Sequence, residues 1–246
     1  MGAAWNEGLV VMVVAGNDGR TGFTQGYGTI NVPGNSPSVI TVGAWKTQGQ
    51  AAKVASYSSK GPTMIDHVVK PDLVASGNRM LSLRAPGSTL ETLFAADPVP
   101  FDVYSEITSQ FVLSYFQLSG TSMSAAVASR GVALVLQANP NYTPDRVEVL
   151  LMATAYKFSQ KTSVAVDALT GVSYTSTYDI FTVGAGDLNA AVALTVTTVP
   201  PAISMQSPTV AYDRMTTTVS LVSPNLSLWG SNALWGNSAN AAFNSL

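Results

Sequence analysis

Residues 9–19 read Leu-Val-Val-Met-Val-Val-Ala-Gly-Asn-Asp-Gly. An unbroken apolar run, Leu9–Ala15, followed by a turn that contains glycine and asparagine is typical of a strand buried on both faces. Val39–Ala44 is a second run of the same kind. Strands of this type form parallel sheets that are covered by helices. The two runs therefore predict an α/β fold with a mostly parallel sheet, in which they are neighbouring strands.

Shorter apolar stretches add candidate strands at Asp72–Ala75, Met80–Leu83 and Tyr115–Leu118. The longest helical pattern is Thr121–Ala138. Because it is apolar nearly all round, we expect this helix to be enclosed by the domain and packed against the sheet. A second helix begins at Thr143, a good N-cap that is followed by proline and aspartate.

The composition excludes several classes of function. Hydrophobic residues make up 46% of the 246 residues and charged residues 11%, with 12 Lys and Arg against 14 Asp and Glu. With no basic cluster, the chain is not expected to bind nucleic acid or an anionic membrane. No apolar run reaches the roughly 20 residues of a membrane span. Cysteine is absent, which excludes disulfides and thiolate metal sites. Leu9–Ala15 lacks the preceding positive charge of a signal peptide, so the location stays unknown.

The composition changes after residue 194. Residues 195–246 are rich in Thr, Ser, Asn, Pro and Val, and they contain the short repeat Leu228-Trp229-Gly230 and Leu234-Trp235-Gly236. We interpret residues 1–194 as the main domain and residues 195–246 as a tail or extension that is mobile or packs at an edge, with the tryptophans as anchors. A binding role for the repeat is the alternative.

Two polar residues follow predicted buried strands. Ser122 lies in residues 120–124 (GTSMS), at the predicted start of the long helix. Free backbone amides and the positive end of the helix dipole favour a nucleophile whose attack creates an oxyanion, although serine also caps many helices. Asn17 follows the first strand, where its amide can donate to an oxyanion or can simply shape a turn.

The order of these segments resembles the subtilisin-like serine proteases, or subtilases. The resemblance covers about residues 5–194. Its collinear motifs are residues 10–19 (VVMVVAGNDG), 33–44 (PGNSPSVITVGA), 56–62 (SYSSKGP), 70–75 (KPDLVA) and 120–123 (GTSM), followed by 184–186 (GAG). It implies a partial subtilisin-like fold, the C-terminal part of a catalytic domain.

The resemblance implies that Ser122 is the nucleophile and Asn17 an oxyanion-hole donor, with the Ser122 backbone amide as the second donor. The two residues should then lie close enough to share one oxyanion. The family's triad aspartate and histidine precede this asparagine, and neither is present in the sequence. The one histidine, His67, falls where relatives have a solvent-facing turn, so we expect it on the surface. An α/β-hydrolase would need glycine at position 124 and a histidine after Ser122, and the sequence has neither.

Two positions depart from the family pattern. Residues 124–126 read Ser-Ala-Ala where the family usually has Ala-Thr-Pro, a change that a helix tolerates. Arg130 stands where relatives usually have glycine in the buried helix. A charge at that position needs a partner or a route to water.

The functional hypothesis is a serine hydrolase that cleaves peptide or ester bonds through a Ser122 acyl-enzyme. Because no base for Ser122 is present, the alternatives are ester hydrolysis alone or a catalytically silent domain that acts in binding. We expect a polypeptide or ester substrate and no cofactor. Relatives often bind structural calcium, but no loop here marks a site, and a secreted parent protein is consistent with the family.

The family also predicts an exposed sheet edge. In relatives an upstream half covers the strand that begins here at Leu9, and exposed edges and apolar patches recruit other chains. We therefore expect a homo-oligomer, a rearranged N-terminal region, or residues 195–246 folded over the bare edge.

Overall fold

The two long apolar runs form adjacent parallel strands in the computed structural model. The structure describes residues 1–21, 24–48, 51–95, 99, 115–197, 206–216 and 218–223. Its elements are α1 (Gly2–Asn6), β1 (Met12–Val14), β2 (Ile40–Gln48), β3 (Ala51–Val54), β4 (Leu73–Ser76), β5 (Met80–Leu83), α2 (Thr89–Leu93), β6 (Tyr115–Leu118), α3 (Thr121–Ala138), α4 (Pro144–Thr154), β7 (Thr162–Val166), β8 (Ser173–Thr177), α5 (Ala190–Thr195), β9 (Thr209–Asp213) and β10 (Thr218–Val222). The predicted α/β class is confirmed.

Strand β2 is the centre of a four-stranded sheet. Since Val42 pairs in parallel with both Val14 of β1 and Leu73 of β4, these two strands flank β2 on opposite edges. Strand β3 returns antiparallel along the last residues of β2, from Trp45 paired with Val54 onward. Within the described ranges, no strand pairs with the other edge of β1.

The core lies between this sheet and helices α3, α4 and α5. The buried apolar side chains include Ile40, Val42, Leu73, Ala128, Val135, Leu150, Leu151 and Phe181. Helix α4 begins as predicted, because Thr143 Oγ1 accepts a hydrogen bond from the Arg146 N–H at 3.3 Å and Pro144 takes the first helical position. Among the described helices, none is long and apolar enough to cross a bilayer.

Helix α3 has the predicted bounds but is buried on one face only. Its buried residues recur every three or four positions: Thr121, Ser124, Ala128, Gly131, Val132 and Val135. Ser122, Ser129, Arg130 and Leu134 are exposed on the other face. The helix packs against the sheet as predicted, but its outer face is exposed, because the alanines and serines interspersed along it suit either environment. Arg130 reaches water directly, which meets the need of its charge.

The segment between β4 and α3 contains an antiparallel pair of strands. Two of the shorter predicted strands, β5 and β6, pair with each other from Met80 with Leu118 to Leu83 with Tyr115, and they stay outside the main sheet. The third predicted strand, Asp72–Ala75, forms β4 with its bounds shifted by one residue.

Part of the C-terminal segment packs onto the domain. Strands β9 and β10 form a hairpin whose Val210 and Val219 are buried in the main core. The Val69 N–H donates to Pro208 O at 2.8 Å, and the Val210 N–H donates to His67 O at 2.9 Å. Residues 206–223 are therefore seated against the loop that precedes β4 and not against β1. The Leu-Trp-Gly repeat lies outside the described residues, and the boundary at residue 194 stays a prediction.

Candidate active site

Asn17 stands in the turn that follows β1, and Thr121 orients its side chain. The Thr121 N–H donates to Asn17 Oδ1 at 3.0 Å, and Thr121 Oγ1 lies 3.2 Å from the same oxygen. A backbone N–H can only donate, so the atom that faces it must be the amide oxygen. The amide nitrogen of Asn17 is thereby directed away from Thr121. Asn17 Nδ2 lies 3.5 Å from the position that a Cβ on Gly120 would occupy.

Ser122 occupies the exposed first turn of α3. The preceding Thr121 is fully buried, whereas Ser122 faces solvent. The first turn of this helix contains no acidic residue, so no local carboxylate offsets the positive end of its dipole. The Gly120 N–H donates to Gly77 O at 2.8 Å, which ties the start of the helix to the end of β4. A hydroxyl placed here is accessible and lies at the helix N-terminus, where the N–H groups of Thr121, Met123 and Ser124 already donate to Asn17 Oδ1 and Gly120 O.

A single threonine hydroxyl joins the two turns. Thr121 Oγ1 accepts from the Gly16 N–H at 3.3 Å while it contacts Asn17 Oδ1. The structure thus brings Asn17 against the residue that precedes Ser122, across 104 positions of sequence. Whether Asn17 and Ser122 act on one oxyanion stays a prediction at this point. Sequence reasoning missed Thr121, although its place in the 120–123 motif was a signal.

The segment 56–60 packs against the Asn17 turn and is hydrogen-bonded to it. The Ser59 N–H donates to Gly16 O at 3.0 Å, and Ser59 Oγ accepts from the Asp18 N–H at 3.0 Å. These two bonds bracket Asn17 from both sides. A Cβ on Gly16 would meet Ser59 Oγ at 2.7 Å, so only glycine allows this close approach. The sequence of this motif by itself does not indicate that it supports the Asn17 turn.

A second set of contacts holds the outer side of the turn. Asn31 Nδ2 donates to Asp18 Oδ2 at 2.7 Å, and Arg20 Nε donates to Ser56 Oγ at 3.0 Å. Arg20 also forms an ion pair with Asp167 at 2.9 Å. This pair is largely exposed and contributes little to stability. Together, these contacts hold the chain in place where it leaves the Asn17 turn.

His67 lies away from this arrangement. It is exposed in a turn, with a backbone φ of 55°, and its carbonyl accepts from Val210 of the C-terminal hairpin. The prediction that His67 is a surface residue is confirmed. In the part of the chain that the structure describes, His, Asp and Glu side chains do not gather in threes at a point where they could hold a metal ion.

Comparison with known proteins adds the family. The Subtilase family (peptidase S8) matches residues 2–187. Serine protease AprX of Bacillus subtilis (strain 168) is 41% identical over 152 residues, which are 60% of this chain and 30% of that protein. Fervidolysin of Fervidobacterium pennivorans is 30% identical over 160 residues, which are 63% of this chain and 19% of that protein. The chain thus spans less than a third of the length of these relatives.

The fold is shared with solved structures. The crystal structure of fervidolysin, described as a keratinolytic enzyme related to subtilisin, superposes with a TM-score of 0.54 at 24% identity, over 80% of this chain and 24% of that one. At that identity the likeness concerns the fold. The similar proteins are named as proteases, which supports hydrolase chemistry. Because the family match spans residues 2–187 of the 246, this chain belongs to the subtilase family.

Proposed function

We propose that this chain is a serine hydrolase in which Ser122 attacks the carbonyl carbon of a peptide or ester bond and forms an acyl-enzyme. Asn17 Nδ2 and the Ser122 backbone N–H donate to the oxyanion that forms during attack. The observation that carries the proposal is the pair of contacts from Thr121 to Asn17 Oδ1, at 3.0 and 3.2 Å. They aim the amide of Asn17 from a position next to Ser122.

The proposed reaction requires two proton transfers. A base must take the Ser122 hydroxyl proton, and an acid must deliver a proton to the leaving group. His67 is the one histidine of the sequence and is bound to the C-terminal hairpin, so we assign neither transfer to it. We infer that peptide hydrolysis needs a base supplied by another segment or chain.

The isolated chain should therefore favour activated esters over peptides. Disabling the triad of a subtilisin-type enzyme costs on the order of 10⁶ in turnover, and the remaining oxyanion hole and binding give roughly 10³ over water. An activated ester has a leaving group that departs as a stable anion and needs no proton. A peptide amine must be protonated to leave. The group that takes the serine proton as a base also returns it to this amine as an acid, so peptide hydrolysis suffers most when that group is absent.

A fluorophosphonate probe tests the proposal directly, since it reacts with a serine that is poised for attack. We expect mass spectrometry to find the phosphonyl group on Ser122 and to find no labelling in Ser122→Ala. Ser129→Ala is the matched control, because Ser129 is also exposed on α3 and should leave labelling unchanged.

Two results would contradict the proposal. Labelling that persists in Ser122→Ala would place the reactive group elsewhere. A folded wild-type chain that takes up no probe, and that hydrolyses p-nitrophenyl acetate no faster than Ser122→Ala does, would support the alternative of a silent domain that acts in binding.

A further inference from the structure

Tyr57 contacts both turns of the proposed site. Its backbone oxygen accepts from the Gly19 N–H at 2.9 Å, and Gly19 is two residues after Asn17. Its side-chain hydroxyl donates to Gly77 O at 2.9 Å. The same carbonyl accepts from the Gly120 N–H at 2.8 Å, and Gly120 is two residues before Ser122. Tyr57 is thus bonded to the asparagine turn by its main chain, and its side chain is linked to the nucleophile turn through the carbonyl of Gly77, which both groups share.

The backbone at Gly19 and at Gly77 is packed so closely against neighbouring residues that it has little room to move. A Cβ on Gly19 would stand 2.1 Å from Ser58 O, and a Cβ on Gly77 would stand 2.1 Å from Ser124 Oγ. These separations mean that bare backbone is packed against its neighbours at both points. A displacement of Tyr57 would therefore be passed on to Gly19 and Gly77 and would not be absorbed by a gap.

The hydroxyl of Tyr57 stays protonated under ordinary conditions. Burial raises the pKa of this phenol to about 12, against the opposite effects of the Gly120 amide and the Arg20 charge. At neutral pH the group is consequently a hydrogen-bond donor, as the bond to the Gly77 carbonyl requires.

We propose that Tyr57 is a positioning residue that sets the separation between the Asn17 amide and Ser122. It acts through Gly19 on one side and through Gly77 and Gly120 on the other. The inference rests on the proposed function, because the separation matters only where both groups serve one oxyanion. A misplacement of about 1 Å costs on the order of 10² in rate. Losing one anchoring bond should have a smaller effect.

The variant Tyr57→Phe removes only the hydroxyl. We expect the maximal rate of Ser122 phosphonylation to fall by about 3- to 10-fold, in line with the loss of one hydrogen bond, with the probe's half-saturation concentration unchanged. Tyr178→Phe is the matched control. Tyr178 is 4% exposed, and its hydroxyl accepts from the Val54 N–H and from Gln160 Nε2, both at 2.9 Å. Its loss should lower the melting temperature and leave the maximal labelling rate within about twofold of wild type.

A second measurement decides the link without any labelling. In wild type, Tyr57→Phe and Tyr178→Phe, hydrogen exchange of the Gly19 and Gly120 amides is followed by NMR. We expect exchange at Gly120 to accelerate at least about threefold in Tyr57→Phe alone, and exchange at Val54 to accelerate in Tyr178→Phe alone. Unchanged exchange at Gly120, or labelling that falls equally in both variants, overturns the role of Tyr57. An unlabelled wild-type chain overturns the proposed function, and the exchange data still decide whether Tyr57 couples the turns.

Discussion

The buried Thr121 is bonded to two residues of the Asn17 turn, Gly16 and Asn17. Its N–H and hydroxyl both face Asn17 Oδ1, and the hydroxyl also accepts from the Gly16 N–H. Asparagine can present either its oxygen or its nitrogen to a neighbour, so an unconstrained side chain would sample both. The two contacts select the orientation in which the nitrogen is available to an anion. In the function that we propose, this donor is thereby arranged before any substrate arrives, which is the condition for effective oxyanion stabilisation.

Replacing Asn17 with alanine tests this arrangement. We expect the phosphonylation rate of Ser122 to fall by roughly 10²–10³-fold, the usual cost of removing one oxyanion donor. The melting temperature should fall as well, because the buried N–H and hydroxyl of Thr121 lose Asn17 Oδ1 as their acceptor. Asn6→Ala, at another exposed asparagine, serves as the control and should react like wild type. A rate within about threefold of wild type would remove Asn17 from the proposed chemistry.

Ser124 carries a buried hydroxyl that finds no hydrogen-bond partner among the described residues. An unsatisfied buried hydroxyl costs about 1–3 kcal/mol. We therefore expect Ser124→Ala to leave the free energy of unfolding unchanged or to raise it by about 1 kcal/mol, as measured by urea denaturation. Ser58→Ala is the contrasting variant. Ser58 Oγ accepts from the buried Ala44 N–H at 2.9 Å, so its loss should destabilise. Equal destabilisation in both variants would show that Ser124 has a partner.

Helix α4 brings an unusual carboxyl group into the core. Glu148 is 1% exposed, and neither of its carboxylate oxygens has a hydrogen-bond partner among the described residues. Burial is the main cause that raises the pKa of Glu148 well above its ordinary value. The charge of Asp72 adds to this rise, and the charge of Lys70 opposes it. Lys70 and Asp72 are themselves fully buried and paired at 2.7 Å, so Lys70 already has a counter-ion.

The raised pKa of Glu148 makes stability depend on pH. Between the pKa of the unfolded state, about 4.3, and the higher pKa of the folded state, the native protein binds the extra proton. The free energy of unfolding therefore decreases as pH rises through this window. We expect Glu148→Met to remove this decrease. In urea denaturation from pH 4 to pH 8, the free energy of unfolding of the variant should increase relative to that of wild type as pH rises. The difference should reach about 1–3 kcal/mol at the upper end of the range.

Glu7 offers the matched control for this titration. It is exposed, and Glu7→Gln should leave the pH profile of stability as it is in wild type. A Glu148→Met profile parallel to that of wild type would show that Glu148 is not the group responsible. A variant that is less stable at every pH would show that the carboxyl group makes a favourable contact.

In the whole molecule, the described C-terminal residues 206–216 and 218–223 contribute to the core through Val210 and Val219. Ser207 is buried, and its hydroxyl donates to Asp72 Oδ1 at 3.1 Å. The other oxygen of Asp72 accepts from the Thr41 N–H and from Lys70. Residues beyond the family match at 187 therefore complete the hydrogen bonding of a buried carboxylate that links β2 to β4. Neither described strand of this segment pairs with the free edge of β1.

The unpaired edge of β1 leads us to expect self-association. Strand β1 is entirely apolar, and the neighbouring Leu9 is 61% exposed. With charged residues at only 11%, the chain has few charges that would oppose pairing between edges. We expect light scattering over a concentration series to show a dimer or larger species, and Leu9→Lys to shift it toward monomer. A monomer at every concentration in wild type would contradict this expectation.

Local patterns were sufficient for the strands and helices of the central part. The run around Val13 has no polar residue, and the run around Val42 has only the buried Thr41. No other element accommodates such runs as well as a strand buried on both faces. The N-cap at Thr143 is equally local, because its hydroxyl bonds to an N–H only three residues away. Ser122 and Asn17 could be singled out for the same reason, since each follows directly on a recognisable element.

Relations between distant residues needed the three-dimensional structure. The pairing of β5 with β6, the exposed face of α3 and the seat of Ser207 on Asp72 depend on which surfaces meet, and local periodicity does not encode that choice. The orientation of Asn17 by Thr121 and the two-sided contacts of Tyr57 are of the same kind. Hydrogen bonds act over about 3 Å whatever the separation along the chain. The sequence therefore indicated which groups could react, and the folded chain settled which neighbours hold them in place.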